Sequence, residues 1–265
     1  MSNPEPLFVL ESQMEALRIV LVQPAGSLNV GMIARVMKNM GLHHLVLVNP
    51  QCNPQGEEAI KMAVHAQDVL EQAECVPDLK TALQGTQRVM ATTARPRHLN
   101  LQPVSPREGL PWLLKMPAAL VFGPEDRGLS NQELSLAQRY IRIDSSAAYP
   151  ALNLAQAVAV CCYELRQAAL ESSITQSQLS ESIAGVRDSD AQAVCSKLAM
   201  VDQIEGFYEQ LQALLLEVGF VYPHTAAVRM AKLRRLFNRT QLSERELAML
   251  RGVLRQIAWK IRLNR

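Results

Sequence analysis

Five short runs dense in aliphatic residues, Leu17 to Val22, His44 to Val48, Arg88 to Thr92, Ala118 to Phe122 and Tyr140 to Ile143, alternate with helical stretches. That alternation constrains the chain more than its composition does. Strands joined by helix-length connections pair in parallel, and a parallel sheet is covered on both faces, so its strands read as continuous apolar runs. The expectation is an α/β unit over residues 1–170. Residues 171–190 are rich in Ser, Gln and Asp with few large apolar groups, which reads as a linker. From 191 to 265 no strand signal appears. Leu247, Leu250, Leu254, Ile257 and Ile261 recur every three or four residues behind a capping-box pair, Ser243 and Glu246, so this end is expected to be a small all-helical domain.

The net charge of +2 hides an asymmetry. Thr225 to Arg265 carries eleven Lys or Arg against two acids, whereas the rest of the chain has 16 basic against 23 acidic residues. The C-terminal end is built to meet a polyanion. Within it Lys232, Arg234, Arg235 and Arg239 form the densest basic cluster. No apolar run is long enough to span a bilayer, and Met1 to Ser12 holds acids and a proline where a signal peptide would hold a basic start. A cytoplasmic location without membrane contact is expected. The five cysteines show no CxxC pairing and the five histidines no ligand spacing, so no metal is implied; Cys161 and Cys162, inside an apolar helical stretch, read as packed core thiols.

Three segments carry the chemistry. Leu120 to Leu134 combines an apolar strand end, Gly123 and Gly128, a charged turn, and a capping-box pair at Ser130 and Glu133. It reads as a binding loop, although glycines in a plain βα turn would look alike. Leu28 to Arg35 opens a helix ended by Gly41; Asn29 is placed as its N-cap and Arg35 lies nearly two turns further on, where a solvated arginine is the bland alternative. Tyr149 to Val158 follows the last strand, with Asn153 capping or beginning an apolar helix that runs to about Leu170. The turn Gln23 to Asn29 has one glycine only, which argues against a dinucleotide or class I methyl-donor site, and no P-loop spacing occurs.

Together with Leu47-Val-Asn-Pro50, Thr92-Thr-Ala-Arg95 and Lys232-Leu-Arg-Arg-Leu-Phe237, these segments resemble the SPOUT superfamily of RNA ribose 2′-O-methyltransferases, nearest to its TrmJ-type tRNA branch. The resemblance covers nearly the whole chain. It implies a parallel sheet with a deep trefoil knot, a homodimer, and S-adenosylmethionine as donor, held by Thr92, Thr93, Ala94, Gly123, Ile143, Pro150, Ala151 and Leu152. Arg35 is implied as the catalytic group, with Asn29 and Asn153 bracing it. A guanidinium is a poor base at neutral pH, so its role would be to orient the 2′-oxygen and stabilise developing charge. Arg95, Arg97 and Arg127 would meet RNA beside the basic C-terminal cluster. Many members carry serine immediately before Leu-Asn, where this chain has Ala151. The implied reaction is methylation of a tRNA anticodon-loop ribose, at nucleotide 32. A different tRNA or rRNA position, or a non-catalytic RNA-binding knot, are the alternatives. The apolar helix after Asn153 could form the dimer interface or an intradomain core.

Overall fold

The computed structural model describes residues 14–93, 102–146, 148–182 and 197–263, so Ala94, Arg95, Arg97 and Cys195 lie outside the described residues. The chain divides into two compact units, Met1–Leu83 with Arg88–Asp188, and Gln84–Gln87 with Ser189–Arg265.

The first unit runs β1 (Leu17–Val22), α1 (Ser27–Met40), β2 (His44–Val48), α2 (Glu57–Ala63), α3 (Gln67–Glu71), β3 (Glu74–Val76) and α4 (Leu79–Ala82). It continues with β4 (Arg88–Thr92), α5 (Pro106–Gly109) and a 3-10 turn at Leu110–Leu113. It ends with β5 (Ala118–Phe122), α6 (Asn131–Leu134), β6 (Arg139–Ile141) and α7 (Leu154–Ser182). The sheet order is β3-β2-β1-β5-β4-β6, and every pairing is parallel. Strand β3 escapes the sequence reading because it is a three-residue edge strand with Glu74 and Cys75 exposed, and so has no apolar run. Strand β6 stops at Ile141, two residues short of the expected end.

Val104 bridges Ile141 in parallel, accepting from the Arg142 N–H at 3.0 Å while its own N–H donates to the Tyr140 carbonyl at 3.0 Å. Strand β6 therefore has β4 on one side and, on the other, a residue of the connection that leads from β4 to β5.

Helix α1 has the left-handed stop expected at Gly41, with φ 78°. Its start differs from expectation: Gly26 occupies the N-cap, and Asn29 is the third helical residue. That frees the Asn29 side chain for the site described below. Gly31 faces α2 so closely that a Cβ there would lie 2.2 Å from the Ala59 carbonyl oxygen. Gly31→Ala should overpack this contact and cost about 2 kcal/mol. A urea midpoint unchanged from the parent would mean that α2 yields freely.

Helix α7 buries Leu154, Val158, Cys161, Cys162, Leu165 and Ala169 in the same core as β1, α1 and β5. Its most apolar face is thus an intradomain face, while Val160, Tyr163 and Leu170 stay exposed. The helix continues to Ser182, through the first half of the expected linker. No Gly or Pro interrupts residues 154–182, and Ser, Gln and Glu tolerate helix well enough to extend it. Burial pushes the Cys161 thiol up to about 12 and raises that of Cys162 as well. In the native protein, alkylation should reach exposed Cys75 and spare Cys161 and Cys162 until unfolding, as peptide mapping would reveal.

The second unit contains α8 (Val201–Glu217), α9 (Ala226–Asn238) and α10 (Glu244–Leu263) around Phe207, Tyr208, Met230, Leu242 and Leu247. Ser243 and Glu246 cap α10 reciprocally, as expected.

Candidate active site

One cleft collects the carboxyl ends of β4, β5 and β6, where loops diverge from a parallel sheet. At the end of β4 the Thr92 hydroxyl donates to the Val121 carbonyl at 3.2 Å, and the Thr93 N–H donates to the Ile141 carbonyl at 2.9 Å. Both neighbouring strands thereby fix this wall.

After β5 the chain turns on Gly123. A Cβ there would sit 2.4 Å from the Leu129 nitrogen, so the loop from 124 to 129 folds directly back over it, with Gly128 at φ +64° closing the turn. Arg127 clamps that loop. Its Nη1 and Nη2 donate to the two Glu133 carboxylate oxygens at 2.9 and 3.1 Å, and Nη2 also donates to Gln23 Oε1 at 2.8 Å. Burial alone would raise the Glu133 carboxyl, but the hydrogen bonds from Arg127 and Ser130 outweigh it and hold it below the usual carboxylate range. The expected RNA contact at Arg127 therefore falls on a guanidinium whose fork already holds the loop.

After β6, Ile143, Pro150, Ala151 and Leu152 supply the remaining wall. The Ser145 hydroxyl donates to the Pro150 carbonyl at 2.9 Å, so a hydroxyl still braces the segment in which this chain has Ala151. Asn153 caps α7, its Oδ1 accepting from the Ala155 N–H at 2.8 Å. Its Nδ2 donates to Asn29 Oδ1 at 3.1 Å, and Asn29 Nδ2 donates to Glu125 Oε1 at 2.6 Å. Three segments far apart in sequence are thus joined by one line of side chains.

Thr92, Thr93, Gly123, Ile143, Pro150, Ala151 and Leu152 all line this cleft, with Phe122, Leu129 and Ile141 as apolar walls and Glu125 and Asp126 beside them. A second, more open recess shares the loop from Pro124 to Arg127 and adds Gln23, Asn29 and Gln51. Gln23 and Ser145 have no signal in the sequence, because each matters only through a partner brought near by folding. Arg35 is not drawn into the cleft. It is exposed and makes no hydrogen bond or ion pair among the described residues.

In the helical unit, Lys232 and Arg239 are exposed and Arg235 is partly buried. Arg234 departs from its expected RNA-facing role. Its guanidinium pairs with both carboxylate oxygens of Glu205, with Nη2 to Oε2 at 2.8 Å, and lies 4.4 Å over the Tyr208 ring. Position 234 falls on the face of α9 that packs against α8, so its charge is spent inside the domain.

The family model for SpoU rRNA methylases matches residues 16–163, from the first strand through the cleft and into α7. The chain belongs to the SpoU methylase family. A second model, the TrmJ C-terminal domain, matches residues 202–265, so the three-helix unit has its own counterpart beside the SpoU methylase part. The tRNA (cytidine/uridine-2′-O-)-methyltransferase TrmJ of Klebsiella pneumoniae is 39% identical over 92% of this chain and 97% of its own. The tRNA (cytidine/uridine/adenosine-2′-O-)-methyltransferase TrmJ of Pseudomonas aeruginosa is 37% identical over 91% of this chain and 93% of its own. Among solved structures, TrmJ from Z. mobilis superposes with a TM-score of 0.76 at 27% identity, covering 91% of this chain and 98% of that one. All of the described cleft residues fall inside the SpoU methylase match.

Proposed function

We propose that this protein transfers a methyl group from S-adenosylmethionine to a ribose 2′-hydroxyl of tRNA, in the anticodon loop at nucleotide 32. The observation that carries the reading is the convergence of Thr92–Thr93, the loop folded over Gly123, and Ile143–Leu152 on one cleft edged by Asn153, Asn29 and Glu125. Full-length likeness to TrmJ methyltransferases supports the reaction and the substrate class.

The cleft suits the donor. Its apolar walls offer a slot for a flat adenine, with backbone N–H and C=O groups at the strand ends to read the base edge. Glu125 and Asp126 place negative charge where the donor's sulfonium and ammonium groups would be cationic. Bound there, S-adenosylmethionine supplies an electrophilic methyl group. The protein must then bring the 2′-oxygen in line and accommodate the charge that develops on it.

Arg35 has the chemistry to do both, since a planar fork can hold a phosphate and the 2′-oxygen together. It lies about 9 Å along α1 from Asn29, outside its own chain's cleft. A homodimer that brings Arg35 of one protomer to the cleft of its partner completes the site. Exposed Lys232 and Arg239 hold the tRNA backbone, together with Arg95 and Arg97 in the segment after β4.

Incubation with methyl-labelled donor and bulk tRNA, followed by nucleoside analysis, tests the reading. Label should appear in 2′-O-methylated ribose at nucleotide 32, recovered as alkali-resistant dinucleotides. A methylated base would overturn the ribose assignment, label elsewhere in the tRNA would overturn the position, and no transfer at all would leave a binding protein.

A further inference from the structure

We propose that the far end of the helical unit, where α8 and α10 both terminate, is a stacking platform for unpaired nucleotides of the RNA. The proposal rests on the reading of tRNA as substrate and adds to it a second kind of contact, made by rings rather than by charges.

Helices α8 and α10 start next to one another. Just before them, Leu198 pairs with Ser243, and the Glu244 N–H donates to the Lys197 carbonyl at 2.9 Å. Further along, Arg251 Nε donates to Gln210 Oε1 at 3.2 Å. At ~1.5 Å per residue, Trp259 lies as far along α10 from its start as Leu216, in the last turn of α8, lies from the start of α8. The loop that leaves α8 is at the same end. Its Val221 N–H returns to the Leu215 carbonyl at 3.1 Å and the Val221 side chain is buried, which leaves the residues on either side facing outward.

Those residues are aromatic. Phe220 is 57% exposed, Tyr222 54% and Trp259 59%, an unusual display of ring surface for one end of a small helical domain. The rings are also held in place. Tyr222 stacks on His224 with centroids 5.9 Å apart and planes inclined by 14°. The Arg229 guanidinium lies 5.4 Å over the Phe220 ring and donates to the Phe220 carbonyl.

Charge decides what would cover such a surface. Glu217 closes α8, but neither residues 218–243 nor residues 247–265 contain an acid, while Lys260 follows Trp259 directly and Arg262 lies three residues on from it. Ordered rings set among cations are the two components of single-strand recognition, in which bases stack on aromatic faces while the backbone is held by charge. A duplex cannot use the rings, because its bases are already stacked; the unpaired nucleotides of a tRNA can.

The test uses full-length protein carrying Phe220→Ala, Tyr222→Ala or Trp259→Ala, with tRNA affinity measured across a range of salt. Each lost stacking partner should weaken binding about tenfold. The slope of log affinity against log salt should stay at the wild-type value, because stacking releases no counterions. Lys232→Ala gives the opposite signature, a slope flatter by about one unit. Since the rings are exposed, thermal midpoints and donor affinity should match wild type. In a Trp112→Phe background Trp259 is the remaining tryptophan, and its fluorescence should be quenched by a short oligouridylate and not by duplex RNA. Wild-type affinity in the ring variants, or equal quenching by duplex, would overturn the platform, as would loss of self-association without loss of tRNA affinity. If wild type itself fails to bind tRNA, the substrate reading falls instead, and quenching by the single strand would still sustain the platform.

Discussion

Arg35→Ala and Arg35→Lys should both lose methyl transfer by a hundredfold or more, with donor affinity and thermal stability retained. The magnitude corresponds to about 3 kcal/mol of transition-state stabilisation, typical for removal of one well-placed donor to a developing oxyanion. The lysine variant is the more informative of the two. It keeps the charge and loses the fork, so equal loss in both variants points to bidentate positioning rather than to simple electrostatics. Stability should hold because Arg35 is exposed and forms no intrachain hydrogen bond or ion pair among the described residues, so truncation strands no buried partner. Donor affinity should hold because the cleft is built from loops after β4, β5 and β6, none of which includes α1 beyond Asn29. Single-turnover assays on tRNA and calorimetry with the donor separate the outcomes. Near-normal turnover in Arg35→Ala would make this residue an ordinary solvated arginine, and loss of donor binding would make it a structural one.

The contrast between Arg35 and Arg234 marks where sequence stops being informative. Patterns carried by neighbouring residues are legible: the five apolar strands, the capping boxes at Ser130 and Ser243, the left-handed stop at Gly41, and the cap at Asn153. Each depends on chemistry within about one helical turn. What escapes depends on distant partners or on the absence of a breaker. Asn29 looks like an N-cap because its side chain suits one, yet Glu125 and Asn153 engage it from 96 and 124 residues away. Strand β3 has no burial to give it a pattern. The polar stretch after Leu170 resembles a linker by composition, although helix propensity alone allows it to continue α7. Basic residues give the weakest signal of all. The three arginines and one lysine of the cluster look alike in sequence, and only the buried carboxylate of Glu205 tells Arg234 from its neighbours.

That distinction has a measurable consequence in Arg234→Ala. The side chains of Arg234 and Glu205 are only 15% and 11% exposed, and the carboxylate accepts from both terminal guanidinium nitrogens. Removing one partner of a mostly buried pair leaves the other desolvated and uncompensated, which costs on the order of 3–5 kcal/mol. The same change strips the cation from the face of Tyr208, whose hydroxyl is held by Asn238 at 2.8 Å in the centre of the helical core. The outcome expected is a helical unit that unfolds at markedly lower denaturant, and tRNA affinity that drops because the unit is partly unfolded. The cause can be isolated by replacing the pair together. Arg234→Met with Glu205→Leu removes both charges, leaves no orphan, and should recover most of the stability lost in the single variant. If Arg234 instead contacted phosphate directly, Arg234→Ala would keep the wild-type unfolding midpoint and flatten the salt dependence of tRNA binding by about one unit, as expected for exposed Lys232. A double variant as unstable as the single one would show that Arg234 stabilises the domain through its packing on Tyr208 rather than through Glu205.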